Sequence, residues 1–563
     1  MSELVLRVYG NATRPNTQGA PQQPPVRFVS GGCVAPTVCT VRQESPSVLV
    51  VRPRAPIAPG ATARVTIELQ GTLQEIDASR TNVLTQGMES MSMLGAGESS
   101  GDYGLLATGS GIVSLANFYA VLARRVGNRW ERSDGGSVGD LGSDDLANVR
   151  AVIDAPAGHV VATSGVTLSS AVTNDRRRTE VAAMVVRDFC VMMGATLQSA
   201  TRRVGEVEVR SFFLPADRAS GERVLDVAAA ALEDFERRFG PYPYVDLDVV
   251  EAPLVGGAGG VEFPGLVTVA SMFYHPSEGG GLTDGLMGML GMGSVTGAMN
   301  QMLPGMLEFV TAHEVAHQYW HGLVGSDSRQ HPFVDESLAQ WSAGIYLEDR
   351  YGAERARRDS DLNVRMNYQF MRMLGHADGA VDRPTAAFDN PMRYAGIVYG
   401  KGPYYYNALR EAAGDAVFFR AMRRYTDTWR FRTAPPSAFL DALIAESRPN
   451  AARFNALARR WLQETHGDED LGEANLGSLL GGMLGGGNGG TLSPEMQQAI
   501  EMLGPMLQQM QHGQGSAGGN GNGAPQRIPP GNGPQRLPSG HGGSPDMNDL
   551  QGTLQELMRQ MGN

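Results

Sequence analysis

Two histidines four residues apart, His313 and His317, and two glutamates, Glu314 and Glu336, are the residues of this chain best placed by type and spacing to do chemistry. They fall in EFVTAHEVAHQYWHGLVGSDSRQHPFVDESLAQWSAGIY, residues 308–346. At about 3.6 residues per helical turn, the HEVAH spacing puts both imidazoles on one face, where one metal ion can touch both. A tetrahedral zinc with one position left open needs a third protein ligand, and Glu336, inside DES at the head of a second helical pattern, can supply it. Eighteen residues separate His317 from Glu336. That length lets the first helix end near Gly322, a loop run from Ser326 to Pro332, and a second helix start near Asp335 and return its first turn to the metal. Glu314 directly follows His313 and reads as a general base rather than a ligand, taking a proton from a zinc-activated water. One zinc per chain is expected.

A bare HExxH also occurs on solvated helix faces. Here Val310, Ala312, Val315 and Ala316 surround the histidines with small and apolar side chains, as a buried helix requires, and the second glutamate stands at a workable distance. His321 and His331 do not continue the ligand pattern and read as surface or supporting histidines.

The elements that must hold these residues divide the chain into three parts. Up to about Val209 the sequence alternates as strands do. In ATARVTIELQG, Ala63, Val65, Ile67 and Leu69 interleave with Arg64, Thr66, Glu68 and Gln70, and LVLRVY, SVLVV, NVRAVIDAP, HVVATSGV and VEVRSFFL continue the theme. This predicts an antiparallel β domain over residues 1–209 with one solvated face. From Ser220 to Phe239 the period becomes helical, with Val224, Leu225, Ala228, Leu232 and Phe235 on one face, and opens an α+β domain expected over 210–466. Within it, a buried strand is predicted from Leu247 to Val250. VGGAGGVEFPGLVTVAS follows, whose glycines let backbone approach a ligand closely and whose sole charge is Glu262; a glycine-rich strand edge of this kind equally marks a bulge. The Met/Gly-rich stretch over 279–307 reads as an insertion, either an adaptable apolar element or a surface loop.

From residue 467 to 563 the composition turns to Gly, Pro, Asn, Gln and Met, which predicts a largely disordered tail. Ser493-Pro494 and Ser544-Pro545 open amphipathic stripes over 494–510 and 545–561, expected as two short helices that dock on each other, on the catalytic domain or on a partner. A formal net charge of -12 argues against nucleic acid or an anionic membrane surface as the partner. Cys33, Cys39 and Cys190 lie away from the histidines; Cys33 and Cys39 either bridge a short loop or stay reduced. No basic segment followed by an apolar run opens the chain, and Gly285 to Leu307 is too rich in polar residues, Gly and Pro304 for a membrane span. The compartment is left open, with the cytoplasm favoured.

In order and spacing, GGVEFPG, HEVAH, the eighteen-residue gap, DES and YGKG resemble the aminopeptidase N family of gluzincin zinc metallopeptidases, over about Leu4 to Thr465. The resemblance implies a thermolysin-like α+β catalytic domain behind the β domain. In that family the glycine-rich motif reads GxMEN or GGMEY and its glutamate recognises the free α-amino group of a peptide, a role that would fall on Glu262. The family's YxKG tyrosine, matched by Tyr399, would stabilise the oxyanion of the tetrahedral intermediate, and Tyr394 stands where some members carry a second active-site tyrosine. Gly259 and Gly260 are expected to offer backbone hydrogen bonds to the substrate. Val261 and Phe263 replace the usual Met and Asn or Tyr beside the glutamate, so the shape of the first side-chain pocket does not carry over. The β run starts late, as though early strands were missing, and the helical carboxy-terminal domain that closes the cavity in many relatives has no counterpart.

The function these residues point to is a zinc-dependent aminopeptidase that removes residues from the free amino termini of peptides. The same metal triad also serves zinc endopeptidases and epoxide-opening enzymes, and a peptidase scaffold can act as a catalytically silent peptide-binding protein. Glu262, the base and the tyrosine favour the first reading.

Overall fold

The computed structural model of the protein describes residues 1–12, 24–83, 85–86, 103–134, 138–142, 145–275 and 293–472. Residues 279–292 of the expected insertion and both expected tail helices, 494–510 and 545–561, lie outside the described residues.

Strand alternation in the amino-terminal region becomes sheet faces. In Arg64–Gly71, Val65, Ile67 and Leu69 turn inward while Arg64, Thr66, Glu68 and Gln70 stay exposed, the period-2 consequence of a pleated strand. This strand pairs antiparallel with Val26–Val34. The ribbon so formed packs Phe28, Ile67 and Leu69 against Leu6, Leu49 and Val51 of a four-stranded sheet ordered 39–45, 48–53, 4–7, 121–122. Cys33 and Cys39, whose state the sequence left open, are disulfide-bonded. A three-stranded sheet (147–156, 176–186, 166–173) and a five-stranded one (160–163, 191–194, 112–115, 106–109, 74–76) close around Val181, Ala183, Phe189, Val191 and Met193. Within these sheets the pairings are antiparallel except that of Gln74–Ile76 with Leu106–Gly109.

The catalytic region stands on a five-stranded sheet ordered Gln198–Val204, Val207–Phe213, Asp246–Ala252, Leu266–Ala270, Gly260–Phe263. Its first two strands come from the stretch that periodicity groups with the amino-terminal β run. Alternation identifies a strand but not the sheet whose hydrogen bonds it completes, and here Val207–Phe213 runs parallel to Asp246–Ala252. Asp246–Ala252 is buried along its whole length, as a parallel strand covered on both faces must be. The predicted helix forms over Arg218–Phe239, buries Val224, Leu225, Ala228, Leu232 and Phe235, and stops at Gly240, whose φ of 116° favours glycine. Gly260–Phe263 runs antiparallel to its neighbour and is the edge that lines the cleft.

The helix carrying HEVAH spans Gly293–Ala316 and includes Pro304, so the last part of the expected insertion forms its opening turns. It buries Leu303, Leu307, Phe309, Ala312 and Val315. No described helix is long and apolar enough to cross a membrane.

Candidate active site

The metal helix ends at Ala316, short of the expected Gly322. Beyond it the chain turns back on itself: Gly322 N donates to His317 O at 2.9 Å, and His321 takes a φ of 115°, a strained conformation for a residue with a Cβ. The turn brings the Trp320 carbonyl to 2.9 Å from His317 Nδ1. A carbonyl can only accept, so Nδ1 carries the hydrogen and the Nε2 lone pair is left for a metal. His317 Nε2 lies 3.1 Å from His313 Nε2, and Glu336 Oε2 lies 3.4 Å and 3.5 Å from the two nitrogens respectively. Donors about 2.05 Å from a tetrahedral zinc are about 3.4 Å apart, so the three atoms fit that ion. Glu336 Oε2 is also buried without a hydrogen-bond partner, a cost that a cation at this point removes. Burial works against the charge on Glu336, but the two histidines beside it hold its carboxyl well below the usual range.

DES does three separate jobs. Asp335 caps the helix Glu336–Tyr351, its Oδ1 accepting from Glu336 N at 2.8 Å, and anchors the preceding loop, its Oδ2 accepting from Ser326 Oγ at 2.6 Å. Glu336 faces the imidazoles. Ser337 Oγ donates to Val398 O at 2.6 Å and ties this helix to the segment that carries Tyr399. That segment, Ala395–Lys401, is a π-helical turn. Lys401 is fully buried, with Nζ 3.0 Å from both Asp378 carboxylate oxygens, Gly379 O and Glu464 O. A Cβ at Gly402 would fall 2.0 Å from Ser337 Oγ. The lysine and second glycine of YGKG therefore fix the turn that presents Tyr399, whose ring centre lies 5.9 Å from that of His313; Tyr394 is 5.7 Å from Tyr399.

The opposite wall is the edge strand. Glu314 is buried, and burial pushes its carboxyl well above the usual range. Its carboxylate lies so close to Gly260 that a Cβ there would come within 2.3 Å of Oε1, whereas a Cβ at Gly259 would meet nothing nearer than 3.5 Å. Gly260→Ala is expected to displace Glu314 and lower kcat by about 10², the scale of a 1 Å misplacement, while Gly259→Ala stays near the parent. Assaying both variants at matched zinc content checks this; equal losses would remove the steric argument.

Glu262, on the same strand, has a side chain only 10% exposed, and its Oε1 is 3.7 Å from His317 Nδ1, beyond hydrogen-bond range. Among the described residues none but its own backbone donates a hydrogen bond to it. Burial pushes its carboxyl up. Gln318, immediately after HEVAH, holds this strand to the metal helix: Nε2 donates to Phe263 O at 3.0 Å and Oε1 accepts from Gly265 N at 2.8 Å.

These groups line a cleft of about 470 Å³ shared with the β region, which contributes Tyr103, Asp140 and Asp188. Sequence reasoning missed Gln318, Asp140 and Asp188, since no spaced motif marks them. His321 stands half-buried beside the cleft with its carbonyl accepting from Arg187 Nε at 2.9 Å, and His331, also half-buried, pairs with Asp382 at 2.5 Å.

Residues 299–461 match the peptidase family M1 domain. Over 171 residues the chain is 30% identical to aminopeptidase M1-B of Oryza sativa subsp. japonica, a match covering 30% of this chain and 17% of that protein. Over 243 residues it is 23% identical to aminopeptidase 2 of Candida albicans (strain SC5314 / ATCC MYA-2876), covering 43% of this chain and 24% of that one. The matches thus span less than a quarter of either relative. Among solved structures, an M1 zinc metallopeptidase from Deinococcus radiodurans superposes with a TM-score of 0.54 at 16% identity, over 83% of this chain and 86% of that chain. A mutant of that protein bound to a Tyr-Ser-Ala substrate gives 0.53 at 16% identity, over 82% and 86%. The chain thus has the fold of the M1 zinc metallopeptidases, and the matched M1 domain over residues 299–461 contains the His-His-Glu donor set.

Proposed function

We propose that this chain is a zinc aminopeptidase acting on peptides with a free amino terminus. The observation that carries this reading is Glu262, a nine-tenths buried carboxylate on the cleft wall with no donor from another described residue. A buried carboxylate short of hydrogen-bond donors is costly, and a substrate α-ammonium supplies positive charge and hydrogen bonds at the point where the peptide begins. Both curated relatives are named aminopeptidases, which supports the same choice over an endopeptidase.

Zinc bound by His313, His317 and Glu336 supplies Lewis acidity to the scissile carbonyl and lowers the pKa of a water. Glu314, held against Gly260, takes the proton of the attacking water and returns it to the leaving amine nitrogen. Tyr399, across the metal donors, donates its hydroxyl hydrogen to the carbonyl oxygen as negative charge develops there. The edge strand around Gly259 and Gly260 orients the peptide backbone, and Tyr394 packs behind Tyr399.

Amino-acid amides should be cleaved and their N-acetyl derivatives spared. Glu262→Ala should cut kcat/KM on the free amines by at least about 30-fold, in line with the 2–5 kcal/mol lost when one partner of a buried charge pair is truncated. The acetylated series should lose little more. Internal cleavage of blocked peptides by the parent, at rates matching those for free amines, would overturn the reading and leave Glu262 a structural carboxylate.

A further inference from the structure

We propose that Arg187, reaching the catalytic region from the β region, is a positioning residue for the zinc ligand His317: its guanidinium holds the strained turn whose peptide aims that imidazole at the metal. Arg187 lies outside every motif read from the sequence. Its role belongs to the metal site alone and does not depend on which peptides the cleft accepts.

The peptide that joins Trp320 to His321 makes two contacts at once. Its carbonyl stands 2.9 Å from His317 Nδ1, and its N–H donates to Val324 O at 3.0 Å. The His317 ring keeps its tautomer and direction only while this peptide plane keeps its own. The plane leads directly into His321 at φ 115°, a conformation that glycine adopts freely and that a residue with a Cβ holds only where its surroundings impose it. Relaxing that angle turns the peptide about the N–Cα bond of His321 and takes the Trp320 carbonyl off Nδ1.

Arg187 opposes that rotation from the other side of the bond. Its Nε donates to His321 O at 2.9 Å and its Nη2 donates to Arg432 O at 2.9 Å. With the N–H of His321 on Val324 O and its carbonyl on Arg187, the strained residue is held at both ends. The second donor reaches a strand that is itself tied to the turn. Val324–Gly325 pairs parallel with Arg432–Thr433, Phe431 N donates to Leu323 O at 2.8 Å, and Ala434 N donates to Gly325 O at 2.7 Å. A planar guanidinium presents its donors in a fixed fork, so one side chain can lock turn and strand together.

The site is shaped for this side chain. Arg187 is buried, and a Cβ at Gly325 would come within 2.1 Å of its Cζ, so glycine at 325 leaves the room that the guanidinium fills. The end of the strand Arg176–Val186, from which Arg187 departs, is also fastened to the catalytic region, with Val185 O accepting from Tyr244 Oη at 3.0 Å. A simple anchor between the two regions would stabilise the fold and leave the zinc affinity of the folded protein unchanged. A positioning residue changes that affinity.

The test measures the zinc dissociation constant of the full-length protein by competition with a chromophoric chelator, without substrate, beside the Tm of the zinc-free form. Arg187→Met should weaken zinc binding by about tenfold or more, the scale of a lost contact that orients a ligand. Arg187→Lys, which keeps the charge but not the fork, should show a smaller loss in the same direction, and it replaces the methionine variant in every comparison if that variant does not fold. His321→Gly supplies the decisive background. Glycine takes φ 115° without strain, so there Arg187→Met should weaken zinc binding by at most about threefold. Parent-like zinc affinity in the folded Arg187 variants, whatever their Tm, would overturn the proposal, and so would equal losses with histidine and with glycine at 321. A parent that binds no zinc would overturn the donor assignment and this role with it.

Discussion

Replacing His317 by alanine is expected to strip the protein of zinc and of activity together. Three donors within 3.5 Å of one another converge on one point, and the alanine removes the one whose lone pair is aimed there by the Trp320 carbonyl. Losing merely a contact that orients a ligand typically costs 10–100-fold in affinity, and losing the ligand itself should cost more. Parent protein dialysed against trace zinc should hold about one ion per chain, and His317→Ala close to none. A second readout follows from linkage. An ion that binds only the folded state stabilises it, so a chelator should lower the parent's Tm and leave that of the variant unchanged. Stoichiometric zinc in both His317→Ala and His313→Ala would refute the donor assignment.

The metal donors were legible in the sequence because helical periodicity alone fixes their geometry: residues four apart share a face, and an eighteen-residue return is long enough for a loop and a capped helix start. The start of the second helix near Asp335 followed from the same reasoning, whereas the capping role of Asp335 came from the structure. What failed to show was whatever depends on the path of the chain between elements. The metal helix stops at Ala316 because a turn through His321, at φ 115°, replaces further helix, and no residue preference announces a histidine in that conformation. Gln318 reads as one more polar residue after HEVAH. Its role exists only because the edge hairpin happens to lie beside it, offering Phe263 O and Gly265 N.

The two regions of the chain show the same division. Alternation in VTIELQ and in VEVRSFF is equally clear, yet one strand completes an amino-terminal ribbon and the other joins the catalytic sheet. The side-chain period carries the face and not the partner. Asp140 is the extreme case: it has no periodic or spaced neighbour, and it reaches the cleft only because Gly139 and Gly142 let their loop press against Tyr394 and Tyr9. Lys401, read as part of a motif, proves to be a buried anchor rather than a cleft group, its ammonium spent on Asp378 and two carbonyls. Motif order located the site, and packing decided which motif residues touch it.

Glu314→Gln should keep the fold and the zinc but lose turnover by about 10² to 10⁴, the usual contribution of a positioned general base. The amide has nearly the shape of the carboxylate, so it fits the same slot against Gly260, where even a methyl group would collide. It lacks the basic lone pair that accepts the water's proton. The ordinary base strength of an exposed glutamate would be weak for this task; burial pushes the Glu314 carboxyl up and makes its conjugate base stronger. Because the residue acts in the chemical step and holds no part of the bound peptide, the loss should fall on kcat with KM little changed. Competitive inhibitors that carry a free ammonium should bind Glu314→Gln about as well as the parent, since Glu262 is untouched. A variant that retained near-normal kcat at full zinc occupancy would take Glu314 out of the proton path and leave its close fit against Gly260 as packing alone.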